Sequence, residues 1–210
     1  MPLNAAQPES ASTICRVLSR PAMLWLAISA LLATGAIVAW WLDSDWLDWQ
    51  PALAWPQAWR WWSAGLVHWT LLHLLANLLA TALVAAYGWA ARVPAEVALA
   101  WLVAWPLTHV ALWAKPELLH YAGLSGVLHA GVAAVTVWLV LRSRGAHRTI
   151  GWMMLIGQLV KLLVEEPWGA ALHLPTELDV AVAPLAHASG TLAGALCTLL
   201  ALRWARHRAA

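Results

Sequence analysis

The chain has 210 residues, of which 62% are hydrophobic and only 10% charged, and its mean hydropathy is +0.68. A soluble domain carries about 25% charged residues, so the composition excludes an ordinary water-soluble globule and leaves a membrane protein with little chain outside the bilayer. The formal net charge of +2 does not point to nucleic acid, because the basic residues lie in short connections rather than in one patch.

In chain order, residues 1–20 are polar, and the apolar run after them lacks a short h-region with a small-x-small cleavage site. It therefore reads as a first anchor and not as a cleavable signal peptide. Membrane spans need about 20 apolar residues each, and six are expected near 22–42, 68–90, 95–114, 123–141, 149–165 and 180–202. The fold class is an all-α, polytopic six-helix bundle. Residues 1–21 form a short cytoplasmic tail, 22–205 the membrane domain and 206–210 a second cytoplasmic tail.

Charge placement supports this count. With a cytoplasmic N-terminus, the inner segments hold nine of the twelve Lys/Arg (Arg16, Arg20, Arg92, Arg142, Arg144, Arg148, Arg203, Arg206 and Arg208). The outer segments hold eight of the ten acids (Asp43, Asp45, Asp48, Glu117, Glu165, Glu166, Glu177 and Asp179). The basic excess alternates through every loop as the positive-inside rule requires, which puts both termini in the cytoplasm. Cys15 and Cys197 then lie on that side at different helical depths, so neither a structural disulfide nor a CxxC metal site is expected.

The connection 43–67 carries Trp46, Trp49, Trp55, Trp59, Trp61 and Trp62 together with Pro51 and Pro56. Tryptophan favours the headgroup level, so this loop is expected in the outer leaflet, either as an aromatic belt or as a partly submerged loop shaping substrate access.

Polar side chains inside spans are costly and usually face the bundle interior. His73, Asn77, Ser125 and His187 are four such residues. Each alone also fits interhelical hydrogen bonding, or a serine bonded to its own helix. At 1.5 Å rise per residue all four fall in the outer half of the bilayer, although they come from three helices of differing direction. His187 is expected about seven residues, or on the order of 10 Å, below the start of its span. His73 and Asn77 are four apart and share a helix face.

Gly190 and Gly194 form a small-xxx-small surface below His187 that lets another helix approach. Gly123 and Gly126 clear space around Ser125 and free backbone N–H groups at a helix start for an anion. These residue types suit acyl transfer. A serine hydroxyl needs a base, which a neutral imidazole provides, and the tetrahedral intermediate needs donors aimed at its oxygen. The Ser125 N–H, the Asn77 amide and His73 are the candidate donors. No carboxylate is expected at a depth that would orient His187, which implies a Ser–His dyad and not a triad.

Four motifs occur in this order: Trp59-Arg60, His68-x4-His73-x3-Asn77, Gly123-Leu124-Ser125-Gly126, and Ala186-His187-Ala188-Ser189-Gly190-x3-Gly194. In that order and topology the chain resembles a rhomboid intramembrane serine protease over essentially all six spans. The resemblance implies a rhomboid-like bundle, Ser125 as nucleophile, His187 as general base, and His73 and Asn77 stabilising the oxyanion with the Ser125 N–H. It implies that Arg60 helps hold the first loop in the outer leaflet and that His68 is structural or near the site. No cofactor or metal is implied.

Within the family, Gly123-Leu124-Ser125-Gly126-Val127-Leu128-His129-Ala130 is most similar to the rhombosortase branch, through the compact chain and His129 one turn after the serine. Ala130 departs from it, standing where that branch often has glycine. The branch implies membrane-anchored protein substrates with a C-terminal Gly-Gly signal, an apolar span and a basic tail. It also implies a bacterial inner membrane, with the site opening to the periplasm. His129 shares a face with Ser125 and is expected to stack on His187, tune it or compete as base, with His187 preferred. Other readings are a rhomboid protease for other single-span substrates, a pseudoprotease, and a membrane transporter or metal-handling protein with His68, His73, His129 and His187 as ligands. The chain has no HExxH, no central intramembrane acid and no evident inverted repeat.

Overall fold

The computed structural model describes residues 20–173 and 181–209. Cys15, Arg16, Glu177 and Asp179 lie outside the described residues, as do most of the expected N-terminal tail and the start of the sixth expected span. The described residues form eight α-helices and two short 3-10 turns. In chain order these are α1 (Arg20–Ala39), α2 (Ser44–Leu47), α3 (Arg60–Ser63), the turn Ala64–Leu66, α4 (Leu71–Ala90), α5 (Ala95–Leu107), the turn Val110–Ala114, α6 (Ser125–Arg142), α7 (Gly145–Glu165) and α8 (Pro184–Ala209). Extended pairing among them is confined to two isolated bridges, Trp49 with Tyr121 and His173 with Val182.

Among the described residues, five segments are long and apolar enough to cross a membrane: Ala22–Ala39, Leu71–Ala90, Ala95–Ala114, Ser125–Arg142 and Pro184–Arg208. The chain is thus an integral membrane protein with an all-helical polytopic bundle. Helix α7 has 21 residues, length enough to cross, but it is not apolar enough to count with the five. His147 and Arg148 occupy its first turn, and Gln158, Lys161 and Glu165 follow along its length. The lipid-facing surface is plain on α4, where Leu71, Leu75, Leu79 and Leu83 form an i, i+4 stripe, each more than half exposed. A continuous apolar stripe of this kind would be an aggregation surface in water and is the normal exterior of a protein in lipid.

Local chemistry sets the helix starts. Thr70 caps α4, its Oγ1 accepting the His73 N–H at 3.1 Å, and Pro184 opens α8 as its first residue, where a missing N–H costs nothing. At the other end of α7, Glu166 turns left-handed (φ 51°) and Pro167 prevents continuation.

Helix α6 is the centre of the bundle, and its most extensive partner is α8. A Cβ at Gly190 would overlap the Gly126 carbonyl, and one at Gly194 would overlap the Ala130 carbonyl. The two backbones are therefore in direct contact, and the glycine pair expected to admit a neighbouring helix does so. The register Gly126–Gly190 and Ala130–Gly194 advances in the same sense on both chains, so α6 and α8 are parallel. Contacts of Gly123 with His73 and Asn77, and of Thr136 with Tyr87, make α4 parallel to α6 as well. The expectation that the polar residues come from helices of differing direction is thus corrected. Alternate helices of an up-and-down bundle enter from the same side, and the three begin together.

Tryptophans lock the remaining helices. Trp25 fills the space left by Gly88 and donates to the Val84 carbonyl at 3.0 Å. Trp101 sits against Gly131, donates to the Val127 carbonyl at 2.8 Å, and stacks on Trp25 with centroids 4.2 Å apart. A second, separate core caps the end where α4, α6 and α8 begin. It unites Trp49, Ala54 and Ala64 of the 43–67 connection with Leu112, Leu118, Tyr121, Ala183 and Ala186. Trp49 is fully buried and packs edge-on against Trp61 and Trp113, whereas Trp46 and Trp55 are largely exposed. The connection is thus both a folded cap and an exposed aromatic rim.

Because the α6–α8 contact has no room for a side chain, Gly194→Val should lower stability by about 1–3 kcal/mol or more. Gly157→Ala, where an added Cβ meets nothing within 4 Å, should leave it unchanged or raise it by up to about 1 kcal/mol. Thermal unfolding of both variants in the same detergent checks this.

Candidate active site

Ser125 is the first residue of α6, His73 stands in the first turn of α4 and Asn77 one turn on, and His187 lies in the first turn of α8. Helix α8 begins at Pro184 and not near 180, so His187 is about one turn below the helix start, shallower than expected. Pro184 is the sequence feature that marks this start.

Gly123 immediately precedes the serine turn with φ +127°, a left-handed conformation that L side chains avoid. A Cβ there would stand 2.7 Å from His73 Cε1, 2.8 Å from His73 Nε2 and 3.9 Å from Asn77 Nδ2. The hydrogen of Gly123 thus leaves open a small space walled by the imidazole and the amide. Asn77 is 5% exposed and its Nδ2 has no hydrogen-bond partner among the described residues, an unusual state because a buried, unsatisfied donor costs about 1–3 kcal/mol. Its neighbour Thr81 bonds the Asn77 carbonyl at 2.7 Å and leaves the side-chain amide free.

His187 reaches the Ser125 face of α6 through His129. The His129 Nδ1–H donates to the Ser125 carbonyl at 2.7 Å, which leaves Nε2 unprotonated in the neutral ring. The His129 and His187 rings stack with centroids 4.1 Å apart and planes 13° from parallel. His68 pairs separately, edge-on to His73 at 4.8 Å, with its Nδ1 on the Leu66 carbonyl at 3.0 Å. The four histidines weighed as metal ligands are therefore split into two pairs. A group that does converge is His129, Glu165 and His187, whose ligand atoms lie within 4.8 Å of one another. Two stacked imidazoles hold their in-plane lone pairs side by side and not aimed at a common point, which fits tetrahedral zinc poorly.

Glu165 overturns the expectation that no carboxylate reaches His187. Its Oε2 lies 2.8 Å from His187 Nδ1, while its Oε1 pairs with Lys161. The last residue of α7 stands at the level of the first turn of α8, so an acid counted with the outer segments is in fact beside the imidazole.

Tyr121 was also not anticipated. It is 4% exposed, and its backbone pairs with Trp49 in both directions at 2.8 and 2.9 Å. Its hydroxyl donates to the Gly123 carbonyl at 3.2 Å and faces the Ser125 side chain. Burial pushes this phenol up to about 12, keeping it a protonated donor. The tyrosine thus pins the serine turn to the cap.

Arg60 is 2% exposed and fastens the cap from within. It donates to Asp48 Oδ1 at 2.9 Å, the Asp48 carbonyl at 2.6 Å, the Asp45 carbonyl at 2.8 Å and Gln57 Oε1 at 2.7 Å. His120 Nδ1 meets the other Asp48 oxygen at 2.6 Å.

A cavity of about 410 Å³ opens between α4, α6 and α7, with walls that include Leu83, Leu128, Met153 and Gln158, and reaches His129.

A comparison with curated proteins gives no match. The Rhomboid domain family model matches residues 56–204, about seven-tenths of the chain, a range that takes in Arg60, His68, His73, Asn77, Ser125, His129, Glu165 and His187. By that match the chain belongs to the rhomboid family of intramembrane serine proteases.

Proposed function

We propose that this chain cleaves membrane-spanning protein segments with Ser125 as nucleophile and His187 as general base. The observation that carries the reading is the unpartnered Asn77 amide, buried beside His73 and facing the glycine-cleared turn that leads into Ser125. A buried donor without an acceptor is what an oxyanion site looks like before its anion forms.

In the first step the Ser125 Oγ adds to the scissile carbonyl carbon and its proton passes to His187. The carbonyl electron pair moves onto oxygen, where Asn77, His73 and the Ser125 N–H stabilise it. Collapse expels the amine, which takes the proton from His187, and water then releases the acyl group by the same sequence with His187 again as base. Gly126, Gly190 and Gly194 hold the two helices at the required distance. The open cavity between α4 and α7 supports entry of the substrate from the side, through lipid.

The charge pattern supports a six-span arrangement with α7 as the fifth, both termini in the cytoplasm and the site at the outer face, periplasmic in a bacterial inner membrane. The finer substrate assignment is a rhombosortase acting on Gly-Gly C-terminal signals followed by an apolar span and a basic tail. Its support is the stack of His129 on His187, together with the ease with which a Gly-Gly junction leaves the helical state. The second reading is a rhomboid protease for other single-span substrates.

A fluorophosphonate probe should label the wild-type protein and fail to label Ser125→Ala, and cleavage should be lost with it. Chelator-sensitive activity without labelling would favour the metal-handling alternative. Asn77→Ala should retain the fold and slow turnover by about 10- to 1,000-fold; unchanged turnover would remove Asn77 from the mechanism. Co-expression with a Gly-Gly-tailed reporter should release a product whose C-terminus lies at the Gly-Gly junction, whereas equal cleavage after replacing both glycines by leucine would refute the rhombosortase assignment.

A further inference from the structure

We propose that Glu165 is a positioning residue for His187, converting the Ser125–His187 pair into a Ser–His–Glu relay; the inference rests on the reading of Ser125 and His187 given above. Glu165 is the last residue of α7, and both of its carboxylate oxygens are engaged, Oε1 by Lys161 and Oε2 by His187 Nδ1 at 2.8 Å. Its side chain is 18% exposed and that of His187 6%, so the bond is largely shielded. An ionised carboxylate only accepts hydrogen bonds. The hydrogen must therefore sit on His187 Nδ1, which leaves the Nε2 lone pair as the basic atom.

Two constraints then fix the imidazole. The carboxylate selects the tautomer, and the His129 stack fixes the plane of the ring. When His187 takes the serine proton it becomes a cation in a largely apolar setting, and the adjacent carboxylate supplies the compensating charge without itself accepting the proton. A second polar brace holds α7 in register. Gln158 Nε2 donates to the His129 carbonyl at 3.0 Å and to Thr191 Oγ1 at 2.9 Å, and Thr191 in turn donates to the His187 carbonyl at 2.9 Å. Helix α7 packs mainly on α6 and touches α8 little, so these side chains are a principal link between the acid's helix and the histidine's helix.

The test uses the full-length protein in detergent or nanodiscs, with a membrane-embedded substrate. Glu165→Ala should lower kcat by about 10²- to 10⁴-fold, the range for loss of an orienting carboxylate, with KM moving less than about threefold. Glu165→Gln, which keeps an acceptor but no charge, should recover part of that loss. Nitrogen-15 spectra of histidine-labelled protein should show the Nδ1–H tautomer of His187 in the wild type and a rise of the Nε2–H tautomer in Glu165→Ala. The inference is overturned if kcat and tautomer are unchanged in Glu165→Ala while Ser125→Ala is inactive. It is also overturned if the purified wild type binds one equivalent of Zn²⁺ that Glu165→Ala loses. Activity surviving in Ser125→Ala would instead sink the underlying protease assignment, and the relay with it.

Discussion

The site depends on one contact, the backbone-to-backbone crossing of α6 and α8. Gly190 lies against the Gly126 carbonyl and Gly194 against the Ala130 carbonyl, closer than any side chain permits. Helices in lipid gain little from the hydrophobic effect when they associate, so tight packing of small residues must hold them. This crossing also sets the height of His187 above the first turn of α6. The tryptophan locks at Gly88 and Gly131 then fix α1, α4 and α5 around the pair, and so carry His73 and Asn77 to the same level.

Because α4, α6 and α8 are parallel, their N-termini meet at one end. Each helix start carries roughly half a positive charge, and the N–H groups of the first turns point the same way. Three such ends converging on a site make it favourable to a developing anion before any side chain is considered. The small space cleared by Gly123 lies at this convergence.

Much of this was legible in the sequence because glycine, histidine and asparagine are conspicuous inside apolar runs. The positions of His73, Asn77, Ser125 and His187 at one end of the bundle, and the packing role of Gly190 and Gly194, follow from spacing alone. The partner of His187 does not. Glu165 counts only as an acid at the outer end of a span when hydropathy is read, and its proximity depends on where α7 ends and where α8 begins. Hydropathy places the start of α8 several residues early, whereas Pro184 marks it. Helix α7 itself was anticipated as a span, but its polar residues are hard to interpret until their partners Thr191, His129 and His187 are seen in place. Tyr121 carries no local signal, because its importance comes from pairing with Trp49, far away in sequence. The relative direction of α4, α6 and α8 follows from counting spans.

The described residues form two separate cores: the bundle core around Trp25 and Trp101, and the cap core around Trp49 and Tyr121. Ser125 and His187 lie along the seam, with Leu124 belonging to the bundle and Tyr121 and Ala186 to the cap. A seam of this kind puts the reacting turns where both cores bear on them. A substitution that loosens the cap acts on the serine turn through Tyr121, and one that loosens the bundle acts on it through Leu124. The serine turn is thereby held from two sides by cores that share no buried side chain.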